Sequence, residues 1–256
     1  MPQLTDPAAI RAILETDRSW SVYALGDLVP AFFEHCRWFT SPGDGPALLL
    51  LYERFQPPVL LTLGTPERIA PLLDEIRDVR TMCLHIRPDI LPLVKRRYTV
   101  HTAPHMWRMV LDPVRFHAVP LNGIVQLGSA DVPALQRLYA DGDASGEAPD
   151  FFFPSMLDDA VFFGVRDGNE LIAAAGTHLV APLESVAAVG NIYTRRDRRG
   201  RGLGTAVTAA VTAELRRRGV RTIGLNVNQR NATAIGLYER LGFVRYCAFV
   251  EGVATR

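Results

Sequence analysis

The feature that most restricts the fold of this chain is a glycine-rich segment, Arg198–Ala206, which reads RRGRGLGTA. A strand-like stretch, Ser185–Thr194, precedes it, and Leu203–Arg217 follows with the spacing of a helix. Closely spaced glycines leave backbone N–H groups accessible, and the start of a helix adds unpaired N–H groups and the positive end of its dipole. The segment therefore predicts a strand–loop–helix unit that binds an anion such as a phosphate.

Two common phosphate-binding motifs do not fit this segment. A dinucleotide fingerprint needs a third glycine where the chain has Thr205. A Walker loop needs Gly-Lys-Ser or Gly-Lys-Thr, which the chain lacks. Both alternatives fail on residue identity.

A second motif follows the loop, in the segment Asn231–Phe243, which reads NATAIGLYERLGF. The loop resembles the R/Q-x-x-G-x-G/A signature of the GNAT superfamily of acyl-CoA-dependent N-acyltransferases, carried here by Arg199, Gly202 and Gly204. The second segment is similar to that family's N-x-x-A-x-x-L-Y-x-x-L-G-F motif. The resemblance covers residues 124–250.

The resemblance implies a cofactor, acetyl-CoA. No metal is expected, because the six histidines form no metal-ligand spacing with cysteine or acidic residues. In the family the loop binds the pyrophosphate of CoA, and the strand before it binds the pantetheine arm through its backbone. The residues expected to bind acetyl-CoA are Ile192, Tyr193, Thr194, Arg199, Gly200, Arg201, Gly202, Leu203, Gly204, Thr205, Asn231 and Tyr238.

Two residues are candidates for the chemistry. The phenol of Tyr238 is suited to donate a proton to the thiolate that leaves acetyl-CoA. Glu184 is the candidate base, acting directly or through water, with Glu147 and Asp150 as alternatives. The expected reaction is acetyl transfer to a primary amine by direct attack in a ternary complex. The alternative function is a non-catalytic acyl-CoA-binding sensor.

The order of elements in the C-terminal half predicts an α+β domain of the GNAT fold, with a mixed, mostly antiparallel sheet flanked by helices. The expected order is a strand, two helices, three antiparallel strands, a helix, a strand, a helix and a strand. We expect a polar loop over Asp141–Pro149, a short helix over Phe151–Leu157 and a last strand over Phe243–Val250.

The N-terminal half repeats this order of elements without the motifs. Leu63-Gly64-Thr65-Pro66 takes the place of the glycine-rich loop, and no Asn…Leu-Tyr segment follows it. We therefore expect a degenerate GNAT-like domain at residues 1–117 and a catalytic GNAT domain at residues 118–256. This tandem arrangement is similar to that of glycine N-acyltransferase-like proteins. The first half should not bind CoA but should complete the substrate cleft or the sheet.

Composition excludes several other classes of function. A formal net charge of +1 argues against bulk binding of nucleic acid. The run Arg195–Arg201, with Arg216–Arg218 nearby, is an alternative nucleic-acid contact, but Asp197 interrupts it and no aromatic residues are interleaved with it. Three widely separated cysteines suit reduced core residues better than disulfides or a metal cluster. The start of the chain carries no secretory signal, and no apolar run reaches the ~20 residues of a membrane span. We expect a cytoplasmic enzyme whose acceptor is a small-molecule or peptide amine.

Overall fold

The computed structural model describes residues 3–117, 119, 123–143, 145–149, 151–159 and 161–256. The chain forms two compact units. The first holds the residues up to Arg108 together with Val227–Arg230 and Arg245–Arg256. The second holds Met109–Asn226 and Asn231–Val244, which includes both motifs.

The secondary-structure elements are numbered along the chain. The helices are α1 (Pro7–Leu14), α2 (Val22–Gly26), α3 (Pro30–Phe33), α4 (Pro66–Ile69), α5 (Leu91–Lys95), α6 (Val132–Asp143), α7 (Met156–Asp159), α8 (Leu203–Arg217) and α9 (Ala232–Arg240). The strands are β1 (Cys36–Thr40), β2 (Ala47–Tyr52), β3 (Val59–Gly64), β4 (Thr81–Ile86), β5 (Thr99–Thr102), β6 (His105–Leu111), β7 (Ile124–Leu127), β8 (Phe162–Asp167), β9 (Glu170–Ala181), β10 (Val186–Thr194), β11 (Thr222–Asn228) and β12 (Phe243–Thr255).

The first unit is built on a mixed sheet. Strands β1, β2 and β3 pair antiparallel in that order, and β3 pairs parallel with β4. The far edge of β4 pairs antiparallel with Val250–Thr255 of β12. Every residue of β2 is buried, as its continuous apolar sequence predicts. Its side chains Ala47, Leu49 and Leu51 pack with α4, α5 and β4 in one hydrophobic core.

The second unit has a sheet of the same kind. Strands β7, β8, β9 and β10 pair antiparallel in that order, and β10 pairs parallel with β11. Helix α6 buries Leu135, Leu138 and Tyr139 in a core that also contains Phe162 of β8 and Tyr193 of β10. The predicted fold class, α+β with a mixed and mostly antiparallel sheet, is confirmed.

Three local predictions were wrong. Helix α6 continues through Asp143, where we expected a loop from Asp141, because the Asp141 carboxylate accepts hydrogen bonds from Tyr193 and from the backbone of Arg196. The short helix after the loop lies at Met156–Asp159 rather than Phe151–Leu157. Pro154 disfavours helical backbone at the residue before it, which keeps the phenylalanines out of the helix.

The third correction concerns the end of the chain. The last strand does not stop at Val250 but continues to Thr255, because Val250–Thr255 pair with β4 in the first unit. The division into domains at residues 117 and 118 stays a prediction. The structure adds that the C-terminal segment Arg245–Arg256 belongs to the unit formed mainly by the N-terminal half.

Three further observations concern membranes, metals and thiols. Among the described residues no helix is long and apolar enough to cross a membrane. The same part of the chain contains no group of three or more His, Cys, Asp or Glu side chains that could hold a metal ion. Cys36 and Cys247 are buried, Cys83 is partly buried, and all three are free thiols.

The close contact between Gly176 and Phe162 gives a test of packing in the second sheet. A Cβ atom on Gly176 would lie 2.2 Å from the Phe162 ring, so Gly176→Ala forces that ring out of the core. We expect the free energy of unfolding in urea to fall by about 1–3 kcal/mol. Gly128→Ala is the control, because its Cβ meets nothing within 4 Å, and the expected change is within about 0.5 kcal/mol. Equal stabilities for the two variants would contradict the packing described here.

Candidate active site

The glycine-rich segment forms a tight loop between β10 and α8. Gly200 and Gly202 have φ angles of 77° and 76°, in the left-handed region that glycine adopts without strain. Gly202 is the N-cap of α8, and its carbonyl accepts the N–H of Ala206 at 3.0 Å. A Cβ atom at either glycine would meet nothing within 4 Å. The loop therefore needs these glycines for backbone conformation, and the space beside them is open.

The backbone N–H groups of this loop form the candidate anion site. In the part of the chain that the structure describes, no acceptor takes the N–H of Gly200, Arg201 or Gly202. Leu203, Gly204 and Thr205 form the first turn of α8, where N–H groups have no partner within the helix. This stretch therefore presents unpaired donors at the positive end of a helix dipole.

The arginines of the loop differ in their partners. Arg195 pairs with Glu170 and Asp197, and Arg198 lies 2.8 Å from Asp167. Across the described residues Arg201 has no carboxylate partner, which leaves its guanidinium available to an anion.

Arg199 is held in place by the Glu147 side chain and the Thr194 backbone. Its two terminal nitrogens lie 3.1 Å from the two carboxylate oxygens of Glu147, and its Nε donates to the Thr194 carbonyl. The hydrogen bonds from Arg199 hold the pKa of the Glu147 carboxyl below its usual value. A carboxylate thus occupies the fork of Arg199 that also matches a phosphate.

The strand before the loop separates from its parallel neighbour. Strands β10 and β11 pair only over Val186–Val189 and Thr222–Leu225, although both continue further. The predicted pantetheine-binding residues Ile192, Tyr193 and Thr194 lie beyond this last pair. Tyr193 and Thr194 still pair with β9 on the other edge. The edge of β10 that faces β11 is therefore open along this stretch.

Helix α9 lies beside the start of α8. The Leu237 side chain is 3.3 Å from the position that a Cβ atom on Gly204 would take. The side-chain oxygen of Asn231 accepts the Ala234 N–H at 3.0 Å, which caps α9. Asn231 therefore has a structural role that the sequence analysis did not assign to it.

Tyr238 follows on the same helix. Its ring is buried against Phe243, and burial raises the pKa of its phenol. Within the described residues its hydroxyl makes no hydrogen bond. A protonated, unpaired phenol on a helix adjoining the loop is suited to donate a proton to a bound group.

The structure does not bring Glu184 to this loop. Glu184 is buried in the turn that precedes β10, whereas the loop follows the opposite end of that strand. Ten residues of extended chain span roughly 30 Å. Of the alternatives, Glu147 lies at the loop through Arg199, and Asp150 lies outside the described residues.

A bulge in β10 is the feature that the sequence analysis missed. Asn191 has a φ of 52°, and the pairing of β10 with β9 shifts register between Gly190 and Tyr193. The Tyr139 hydroxyl donates to the Asn191 carbonyl at 2.9 Å, which holds the bulge from α6. Asparagine tolerates the left-handed region, so the Gly-Asn pair inside a strand was the available signal.

Comparison with known proteins connects this geometry to a family. The family model described as "Acetyltransferase (GNAT) family" matches residues 132–243. An alanine N-acetyltransferase of ribosomal protein bS18 from Escherichia coli strain K12 is 32% identical over 123 residues, which covers 48% of this chain and 81% of that protein. A mycothiol acetyltransferase from Geodermatophilus obscurus is 40% identical over 99 residues, or 37% of this chain and only 32% of that protein.

Solved structures share the fold. An acetyltransferase of the GNAT family from Novosphingobium aromaticivorans superposes with a TM-score of 0.61 at 24% identity, covering 90% of this chain and 95% of that one. A tandem GNAT protein from the clavulanic acid biosynthesis pathway superposes with a TM-score of 0.54 at 20% identity, covering 91% of this chain and 87% of that one. At these identities the likeness concerns the fold alone.

The open loop at the start of α8, the separated strands and the matched relatives define the class: the chain belongs to the GNAT family of acetyltransferases. It is an acyltransferase enzyme.

The contact between Asp141 and the start of the loop gives a test of how the site is held. Hydrogen bonds from the Arg196 backbone and the Tyr193 hydroxyl lower the pKa of Asp141. A carboxyl whose folded pKa lies below its unfolded value, about 3.9, adds stability above that value and loses it as the pH falls through the folded pKa. Asp141→Asn should therefore lower Tm at pH 7, and the difference from the wild type should shrink below about pH 4.

Asp143→Asn is the matched control on the same helix, because no hydrogen bond or ion pair of its side chain is seen among the described residues. Thermal unfolding of both variants at pH 7, 5 and 3 gives the comparison. A deficit for Asp141→Asn that is the same at every pH would contradict the role of its charge.

Proposed function

We propose that the enzyme transfers an acetyl group from acetyl-CoA to a primary amine, by direct attack of the amine in a ternary complex. The observation that carries the proposal is the run of backbone N–H groups from Gly200 to Thr205, which have no acceptor among the described residues. They lie at the start of a helix and beside Arg201, whose guanidinium has no carboxylate partner in the same part of the chain. Such an arrangement fits a pyrophosphate, which needs several convergent donors.

The open edge of β10 supplies the next part of the proposed site. Its unpaired backbone groups at Ile192–Thr194 are suited to hydrogen-bond the amide groups of an extended arm, as an added strand would. An arm that ends at the loop with its phosphates would then have its thioester end near the point where β10 and β11 separate. This is the stretch that the family resemblance assigns to pantetheine.

The proposed chemistry needs two proton transfers. The amine nitrogen forms a bond to the thioester carbonyl carbon and loses a proton, while the carbon–sulfur bond breaks and the thiolate leaves. Tyr238 supplies a proton to the thiolate, because burial keeps its phenol protonated. Glu184, the proposed acceptor of the amine proton, lies five residues and about 17 Å of extended strand before the last paired residue Val189, so the proton would have to reach it through a chain of water molecules.

The relatives support turnover over a sensor role, because both are named as acetyltransferases. The E. coli relative acts on an alanine of a ribosomal protein. A peptide with an N-terminal alanine and its small analogue L-alaninamide are therefore the first acceptors to test, with spermidine as an acceptor of another class.

Calorimetric titration of acetyl-CoA tests the cofactor site. Gly202→Glu places a side chain and a negative charge in the loop, and we expect affinity to fall at least ~10-fold, which corresponds to 1.4 kcal/mol or more. Gly219→Glu is the matched control, because its φ of 79° and open surroundings impose the same backbone strain at the other end of α8. Absence of binding by the wild type, or equal loss in both variants, would contradict the site.

Release of CoA thiol with these acceptors tests the role of Tyr238. Tyr238→Phe keeps the buried ring but removes the proton donor, so kcat should fall by roughly 10²–10⁴-fold while the Kd for acetyl-CoA is unchanged. Tyr246→Phe removes a hydroxyl that is bonded to Asp17 at 2.6 Å, and it should leave kcat near the wild-type value. An unchanged kcat in Tyr238→Phe would remove this residue from the mechanism.

A further inference from the structure

In the second unit, two asparagine side chains each have a buried amide oxygen that accepts no hydrogen bond from the described residues. The Oδ1 atoms of Asn191 and Asn226 receive no hydrogen bond from any described residue. Asn191 is only 3% exposed, and its Nδ2 reaches nothing stronger than the Met156 sulfur at 3.6 Å. Burial of an unpaired amide oxygen lowers stability, so two such atoms together indicate a site kept for a hydrogen-bond donor.

Both asparagines lie where β10 and β11 separate. Val189 and Leu225 are the last paired residues, so Asn226 is one position past the divergence and Asn191 is two. Neighbouring residues of a strand point to opposite faces, which places the Asn226 side chain on the same face as Gly190.

Asn191 belongs to this face as well. Gly190 pairs with Gly176, which is covered by the Phe162 ring of the α6 core. The contacts of Asn191, Met156 through its Nδ2 and Tyr139 through its carbonyl, belong to the same core. The two unpaired oxygens therefore lie on the same face of the sheet, at the point where β10 and β11 separate.

Two aromatic rings, those of His178 and Phe151, lie beside the point where β10 and β11 separate. The His178 ring lies over Gly190, within 2.1 Å of the position that a Cβ atom would take, so only glycine fits beneath it. Phe151 contacts the His178 ring edge-to-face with the ring centres 5.3 Å apart. Rings beside two amide oxygens suit a ligand with N–H donors at one end and an apolar part next to them.

We propose that the Oδ1 atoms of Asn191 and Asn226 receive the N–H groups of the acceptor amine. This inference rests on the proposed acetyl transfer. A carboxylate at this place would stabilise the ammonium form, which cannot attack a thioester, whereas a neutral carboxamide orients the amine without that effect. The site therefore favours α-amino groups, with a pKa near ~8, over lysine-type amines near ~10.4. The substrate class is an α-amine next to a carbonyl group.

Side-chain amide resonances test the contact directly. Protein labelled with ¹⁵N-asparagine is first saturated with CoA and then titrated with L-alaninamide. We expect the Nδ2 resonances of Asn191 and Asn226 to move in the second step. Movement on adding CoA alone would assign the oxygens to the amide N–H groups of pantetheine, and no movement in either step would leave them without a ligand role. Either result overturns the inference.

Kinetics and stability of Asn226→Leu separate a ligand role from a structural one. The KM for L-alaninamide should rise roughly 2- to 10-fold, the size expected for a lost hydrogen bond between neutral groups. The Kd for acetyl-CoA should be unchanged, and Tm should not fall, because the oxygen had no protein partner. The preference for L-alaninamide over Nα-acetyl-lysinamide should shrink in the variant.

Asn228→Leu is the matched control on the same strand. Its Oδ1 already accepts the Arg230 N–H at 2.9 Å, so this variant should lose thermal stability and keep the KM for L-alaninamide. A lower Tm with unchanged KM in Asn226→Leu would make Asn226 a structural residue. Absence of acetyl-CoA binding by the wild type would contradict the proposed function, whereas normal binding with unmoved asparagine resonances contradicts this inference alone.

Discussion

The parallel pairing between β10 and β11, and its early end at Val189 and Leu225, is the constraint on which the rest of the second unit depends. Four pairs join the strands, and beyond them the edge of β10 that faces β11 is open while its other edge pairs with β9. The bulge at Asn191 bends β10 at this point, and the Tyr139 hydroxyl holds the bend from α6. The same bend leads the chain into the loop that caps α8. The separation of β10 from β11 and the position of the anion site therefore both depend on this bend.

Electrostatics around the loop show how a basic segment stays ordered. Arg195, Arg196, Arg198 and Arg199 each lie near a carboxylate, and the loop therefore has few free cations despite its arginine content. Exposed ion pairs of this kind contribute little stability individually. Here they fix the positions of these four guanidinium groups. The guanidinium of Arg201, which has no carboxylate partner among the described residues, is the one left available to an anion. A bound phosphate would compete with Glu147 for the fork of Arg199.

The sequence was sufficient for the parts of the site that local rules determine. Glycine spacing and the helix Leu203–Arg217 follow from backbone conformation and hydrogen bonding within a few residues. The position of Asp141 in a longer α6 depended on Tyr193 and Arg196, which are distant in sequence. The buried oxygens of Asn191 and Asn226 were equally invisible, because only the pairing of strands shows which polar atoms lack a partner.

The placement of Val250–Thr255 in the first sheet has a consequence for how the protein is made. The ribosome synthesises strands β1–β4 before the second unit, but the strand that pairs with the edge of β4 follows the second unit in the chain. Until then that edge exposes unpaired N–H and C=O groups, which are a template for wrong partners. The first unit is thus begun before the second and completed only after it.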